Sequence, residues 1–247
     1  MAKVLTAIVV EDISYMVEKE SLLPVNHYGG KPGKMTTDTV HALVDKVKSA
    51  WRQGKVVSVL FLNVEAAFPN AVTDRLIHNL QRRRIPSVYV HFIEQLLKGR
   101  RTQMKFDDFP SELIFIFNGI GQGDPLSMIL YILYNADLLE IAYPLEEEAL
   151  GFADDTLAMV EGKTFEENVK TLQESMDRER GGFAWSDKHN SVFALDKCYK
   201  LFSSSTHAYH AFSFPFSYMI DMHFPKVLEF HRSHSGSGPR WILTGGT

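Results

Sequence analysis

Apolar residues recur at helical spacing from residue 4 to residue 22, where Val4, Leu5, Ile8, Val9, Ile13 and Val17 mark out a first helix. A turn-rich loop follows, Gly29-Gly30-Lys31-Pro32-Gly33-Lys34. The spacing of Ala42, Leu43, Val47 and Ala50 predicts a second helix over residues 37–53, ended by Gly54. Residues 56–64 break this rhythm. Val-Val-Ser-Val-Leu-Phe-Leu-Asn-Val is a short apolar run rich in β-branched side chains, which predicts a buried strand. Two more helices are predicted over residues 73–84 and 88–98, and a β-hairpin over residues 101–117 with its turn at Asp107-Asp108-Phe109-Pro110. Residues 126–141 are apolar almost all round, so this helix belongs inside a core. Residues 148–161 read strand–turn–strand. Thr164 and Glu167 form a capping box that opens a helix with Phe165, Val169, Leu172 and Met176 on its apolar side, closed by Gly181-Gly182. Short strands are predicted near residues 191–195 and 199–202.

After residue 205 the texture changes. Residues 206–247 hold five histidines and eight aromatics but only five acidic or basic residues, and helical periodicity fades. Ser233 to Gly238 is a flexible Ser/Gly stretch. The expected organisation is one domain over residues 1–205 and an irregular, poorly ordered tail over residues 206–247.

Composition narrows the class. With 45% hydrophobic and 23% charged residues, the 247-residue chain is of ordinary globular make-up and long enough to bury a core. One cysteine, Cys198, rules out an internal disulfide and a cysteine zinc cluster. No apolar stretch is long enough for a membrane span, and the early acids Glu11 and Asp12 are unlike a signal peptide, so an intracellular protein is expected. The net charge of −4 hides an uneven distribution. Residues 81–105 carry Arg82, Arg83, Arg84, Lys98, Arg100, Arg101 and Lys105 against one acid, while residues 140–180 carry twelve acids against four bases. The first segment suits phosphates and the second suits cations, although either run also reads as a solvated helix face.

Candidate chemistry centres on Phe152-Ala153-Asp154-Asp155. Two adjacent carboxylates on a tight turn can coordinate Mg²⁺, a hard cation that takes oxygen ligands. Alone, the pair reads better as a plain solvent-exposed turn. Its surroundings are more specific. An apolar strand ends at Leu62-Asn63, a Gly121-Gln122-Gly123-Asp124-Pro125-Leu126-Ser127 loop opens the buried helix, and then the Asp-Asp turn follows. With His27-Tyr28-Gly29-Gly30-Lys31-Pro32-Gly33 and Thr36-Thr37-Asp38 upstream, and Phe61 to Asn70 around the strand end, this series resembles the reverse-transcriptase domain of non-LTR, LINE-type retrotransposons over about four-fifths of the chain.

The resemblance implies an α+β fold, the palm of a right-hand polymerase with part of its fingers: an antiparallel sheet with packed helices. It implies RNA-directed DNA synthesis by two-metal nucleotidyl transfer, with Mg²⁺ or Mn²⁺ as cofactor. The implied partners are an RNA template, a DNA primer and deoxynucleoside triphosphates. Asp154 and Asp155 fall on the family's metal-binding positions. Phe68 falls on the aromatic that packs under the sugar, Gly121, Gln122 and Gly123 on the loop that approaches nucleotide and template, and Lys197 on a lysine thought to assist the leaving pyrophosphate. Taken singly, Phe68 reads as a core residue, the glycines as a turn and Lys197 as a surface lysine. Arg82, Arg83, Arg84, Lys98, Arg100 and Arg101 are the candidate nucleic-acid contacts.

The largest departure is Asn63, which stands where the family has its first catalytic aspartate. An amide oxygen can ligate a metal but brings no negative charge, and loss of such a group costs on the order of 10²–10³ in rate. Glu65, two residues on, shares that strand face but sits too far along to replace it. The chain also starts inside the fingers, and residues 208–247 are unlike a thumb. It therefore reads as a truncated, degenerate copy whose activity is weak or absent. Its alternatives are an inactive remnant that still binds nucleic acid, and a relic without function.

Overall fold

Strand formation at Val56–Leu62 follows from burial on both sides. In a computed structural model of the chain, which describes residues 2–121, 123–142, 147–194, 199–203, 228–233 and 240–245, this segment is β1. It lies inside a four-stranded antiparallel sheet of order β6-β7-β1-β8, where β6 is Glu147–Phe152, β7 is Asp155–Gly162 and β8 is Tyr199–Ser203. Alternate residues leave β1 on opposite faces. Val57 and Val59 join Leu157 and Met159 of β7 under Leu43, Val47 and Ala50 of α2 (Thr36–Arg52). Leu60 and Leu62 join Ala158 and Val160 in a larger core on the other face. A strand covered on both faces has no polar side, which is why its sequence reads as a continuous apolar run.

The larger core is built around α6 (Leu126–Leu139), the helix that is apolar all round. Tyr131, Ile132, Leu133 and Tyr134 are fully enclosed. Each fully buried leucine or isoleucine contributes about 1.5–3 kcal/mol. Against α6 pack α1 (Ala2–Lys19) and α4 (Thr73–Arg82), while α5 (Ser87–Leu97), lying on α4, and α7 (Phe165–Asp177), lying on β7, add side chains to the same core. In α1 the buried line is Thr6, Val9, Ile13 and Val17, whereas Val4, Leu5 and Ile8 of the expected stripe face outward. At 100° per residue those three lie on another side of the helix. Thr164 caps α7 by accepting a hydrogen bond from the Glu167 backbone N–H at 3.2 Å. Residues 100–116 form the expected hairpin. Its strands β2 (Arg100–Thr102) and β5 (Ile114–Ile116) pair, as do β3 (Lys105–Phe106) and β4 (Phe109–Pro110), with Asp107 in the left-handed region at the turn.

Two helices escaped the periodicity reading. One is the single turn α3 (Ala67–Asn70). The other is α8 (Gly182–His189), which begins where Gly181-Gly182 read as a stop. Gly181 is needed for close approach: a Cβ there would meet the Met176 carbonyl oxygen at 2.7 Å. Of the strand expected near residues 191–195, the described part is a single bridge between Val64 and Phe193. Compact units run over residues 1–208 and 209–247. Within the second, the tail read as irregular holds an antiparallel pair, β9 (Leu228–Ser233) and β10 (Arg240–Gly245). Among the described residues, no helix is long and apolar enough to cross a membrane.

Candidate active site

Antiparallel pairing brings the two halves of the site together. Leu62 of β1 pairs with Thr156 of β7, so Asn63 comes level with Asp155. The β6–β7 turn consists of Ala153 and Asp154, with Ala153 in the left-handed region at φ 55°. A non-glycine residue there stores about 1–2 kcal/mol of strain, which its surroundings must hold in place. The loop at residues 26–30 does so. Asn26 and Tyr28 exchange backbone hydrogen bonds with Gly151 at 3.0 and 2.8 Å, and the Asn26 side chain donates to the Ala149 carbonyl. Gly29 lies so close to the Ala153 backbone nitrogen that a Cβ would clash with it. Gly29 of the upstream loop thus lets that loop brace the Asp-Asp turn, while Gly30 lies against Met128 and Ile132 of α6. Beside the turn, Thr156 is buried and accepts a hydrogen bond from Asn135 of α6 at 3.4 Å.

The other half is held by a segment that periodicity did not reveal. After α8, Asn190 turns the chain in the left-handed region, and residues 192–194 run alongside residues 63–65. The Ala194 N–H donates to the Asn63 carbonyl at 2.9 Å, and the Glu65 N–H to the Val192 carbonyl at 2.8 Å. Ala66, again left-handed, then turns the chain into α3. This places Phe68 against α6, its ring stacked on Tyr131 with centroids 4.6 Å apart. The loop before α6 lies along α3: Gly119 N–H donates to the Ala71 carbonyl at 2.7 Å and Ile120 N–H to the Phe68 carbonyl at 2.8 Å. A Cβ on Gly119 would meet the Pro69 carbonyl oxygen at 2.5 Å. Gly121 accepts a hydrogen bond from the Ser127 hydroxyl, and Gly123 turns at φ 77°. The fold therefore gathers Asn63, Phe68, Gly121, Asp154 and Asp155 around one end of the sheet. Gln122 and Lys197 lie outside the described residues.

Electrostatics ties these parts together. Burial raises the Asp155 pKa above the usual carboxylate range, the Asp154 carboxylate raises it further, and a hydrogen bond from the Asn63 side chain opposes both. Burial, and then Asp154, pushes the Tyr131 phenol up as well. Tyr131, under Phe68 and within the field of both aspartates, was missed from the sequence because it reads as one more apolar position of a buried helix. Two crowded carboxylates are the start of a divalent-cation site. The third donor is the Asn63 amide, already bonded to Asp155. Among the described residues, no group of three or more His, Cys, Asp or Glu side chains is arranged to hold a metal ion. Asp154 and Asp155, with the Asn63 amide beside them, are the residues that could hold a divalent ion.

The basic candidates separate into two kinds. Arg82 reaches Asp137 at 2.5 Å and Glu140 at 3.1 Å, and Arg83 reaches the same two acids at 2.7 Å each. Arg100 donates to the carbonyls of Leu97, Asn118 and Gly119. These three are engaged within the chain. Arg84, Lys98 and Arg101 are exposed.

The sheet, its helices and the paired aspartates define a polymerase palm. Solved structures with this fold include telomerase from Candida tropicalis, in complex with a fragment of telomeric RNA, at a TM-score of 0.60 and 8% identity over 80% of this chain and 33% of that one. Telomerase from Candida albicans gives 0.58 and 12% identity over 87% and 36%. The chain belongs to the reverse transcriptase (RNA-dependent DNA polymerase) family, whose model matches residues 1–215. Curated relatives include the probable RNA-directed DNA polymerase from transposon X-element of Drosophila melanogaster, 24% identical over 81% of this chain, and the RNA-directed DNA polymerase from mobile element jockey of Drosophila funebris, 23% identical over 80%. Such relatives agree with the LINE-type affiliation that the motifs imply. The chain spans 22% of the length of each.

Proposed function

We propose that this chain is the palm and part of the fingers of a non-LTR retrotransposon's RNA-directed DNA polymerase, with nucleotidyl transfer impaired by Asn63. The supporting observation is local. Asn63 stands level with Asp155 and hydrogen-bonds it, at the position where the family resemblance places a carboxylate. The proposed partners are an RNA template, a DNA primer and deoxynucleoside triphosphates. Phe68 and Gly121 would flank the nucleotide, and Gln122 and Lys197 keep the roles the resemblance assigns them. Mg²⁺ or Mn²⁺ would be held by Asp154 and Asp155. Arg84, Lys98 and Arg101 are the exposed cations for the strand's phosphates, since Arg82, Arg83 and Arg100 are engaged within the chain.

Primer extension on an RNA template, with Mg²⁺ and with Mn²⁺, tests this reading by comparing the chain with its Asn63→Asp variant. The variant is expected to extend on the order of 10²-fold faster. Equal rates would overturn the assignment of the defect to residue 63. Extension by neither would favour a second reading, nucleic-acid binding without catalysis, which the exposed Arg84, Lys98 and Arg101 support.

A further inference from the structure

The β2–β5 ribbon has two dissimilar faces. Its inner face is anchored by Arg100, whose guanidinium donates to the Leu97, Asn118 and Gly119 carbonyls at 3.1, 3.0 and 2.7 Å. On the outer face Arg101 stands directly across from Phe115, with its guanidinium 4.7 Å from the ring centroid. Phe117, two residues further along β5's path, lies nearly parallel to Phe115, at 17° and 6.2 Å between centroids. Phe115 is 51% exposed and Phe117 79%. Three planar groups thus form a solvent-facing row on a ribbon whose other side is fixed to the body. Nothing in a two-stranded hairpin requires exposed rings, and such surface disfavours solubility unless it is used.

We propose that this outer face is a stacking platform for single-stranded RNA, with bases on Phe115 and Phe117 and phosphates drawn to Arg101 and Lys98. Stacking on exposed rings is sequence-tolerant, because every base has a π-face, and arginine adds to it. A guanidinium stacked on a ring keeps its N–H edge open to phosphate oxygens. Lys98 is exposed at the start of the ribbon, and among the described residues no ion pair occupies Lys98 or Arg101. Along the chain, the platform is joined to the candidate site by a short segment. Four residues after Phe117 comes Gly121, on the loop that lies along α3 and hydrogen-bonds Phe68. A protein partner is the other occupant an apolar face admits. The cation stacked within the row favours a polyanion. The proposal rests on the reading that this chain handles RNA.

The test is fluorescence anisotropy of a short labelled oligouridylate titrated with the full chain. Phe115→Ala/Phe117→Ala is expected to raise Kd about tenfold or more, and Phe106→Ala/Phe109→Ala at the hairpin tip to leave it unchanged. Phe115→Trp should bind like the wild type, with tryptophan emission quenched on RNA addition beyond the wild-type change. All these positions are exposed, so thermal unfolding midpoints should stay put. Wild-type affinity in the Phe115/Phe117 variant, or equal loss from the tip variant, would overturn the platform while leaving RNA binding intact. No saturable binding by the wild type would overturn both the platform and the RNA-handling reading beneath it. Self-association lost in the Phe115/Phe117 variant at unchanged RNA affinity would reassign the face to an interface between copies.

Discussion

Two arginine-bearing regions look alike in the sequence and behave oppositely in the fold. Under α4, α6 and α8, Asp137 gathers Arg75, Arg82 and Arg83 at 3.5, 2.5 and 2.7 Å, and Arg75 also donates to His189 at 3.3 Å. In the hairpin of residues 100–116, Arg101 lies over a ring in solvent. The first region spends its charge on holding helices together. The second leaves it available to a ligand. What separates them is a partner from another element. Helix α6 brings Asp137 and Glu140 to α4, and no element brings a carboxylate to Arg101 among the described residues.

The sharpest test removes the shared acid. Asp137→Ala takes from Arg83, whose side chain is 8% exposed, the more buried of its two carboxylates, leaving Glu140, and removes the carboxylate that Arg75 reaches. Stripping one member from a buried ion network costs about 3–5 kcal/mol. Denaturant unfolding should show that loss, and a change under about 1 kcal/mol would dissolve the contrast. The same region makes a pH prediction. Burial lowers the pKa of His189 to about 4, partly offset by its bond to the Trp185 carbonyl, and burial lowers that of His27 to about 4 as well. A base whose folded pKa is depressed supports the fold above its unfolded pKa, about 6.5, and that support is lost as pH falls from there towards 4. Each histidine is worth about 3 kcal/mol in total, near 1.4 kcal/mol per pH unit inside the window. Stability curves at pH 7, 6 and 5 should therefore fall steeply, and His189→Gln should flatten the slope. A flat wild-type profile would contradict a neutral His189 accepting from Arg75 and Asn79.

How much of this could be read from the sequence depends on the range of the forces involved. β1, α6 and the Asp-Asp turn were legible because each is written in a local period or turn signal. The site's motif order was legible by resemblance. Tyr131 was not, because a phenol beside two aspartates looks, along the chain, like any aromatic in a buried helix. Residues 192–194 were not, because a backbone hydrogen bond to Asn63 leaves no side-chain pattern. Arg82 and Arg83 differ from Arg84 through Asp137 and Glu140, more than fifty positions away in sequence.

Asn63 is anchored by the Ala194 N–H at its carbonyl and hydrogen-bonded through its side chain to Asp155. The raised pKa of Asp155 has the opposite sign to the histidines: its support for the fold is full below its unfolded pKa and lost as pH rises through the folded value. Asn63→Asp removes a donor and adds a like charge. It should destabilise the chain by about 1–2 kcal/mol at neutral pH in chelator. Millimolar Mn²⁺ should restore more of that stability in the variant than it adds to the wild type, because binding to the folded state alone is stabilising. A variant as stable as the wild type in chelator would mean that the Asn63 bond contributes nothing to holding Asp155.

The smallest effect separates neighbours. Arg100 and Arg101 are adjacent, yet strand alternation turns one to the body and the other to solvent. Arg100→Ala removes charge-assisted hydrogen bonds to three carbonyls and should cost about 1 kcal/mol. Arg101→Ala removes a solvent-exposed ring contact and should stay within about 0.5 kcal/mol of the wild type, as surface substitutions do. Urea unfolding of the two variants side by side makes the comparison. Equal losses would mean that the outer face is already structural, with Arg101 tied to the fold as firmly as Arg83. A loss confined to Arg100 would show that two charges of one run serve different ends, one fixing the ribbon and the other left for what binds it.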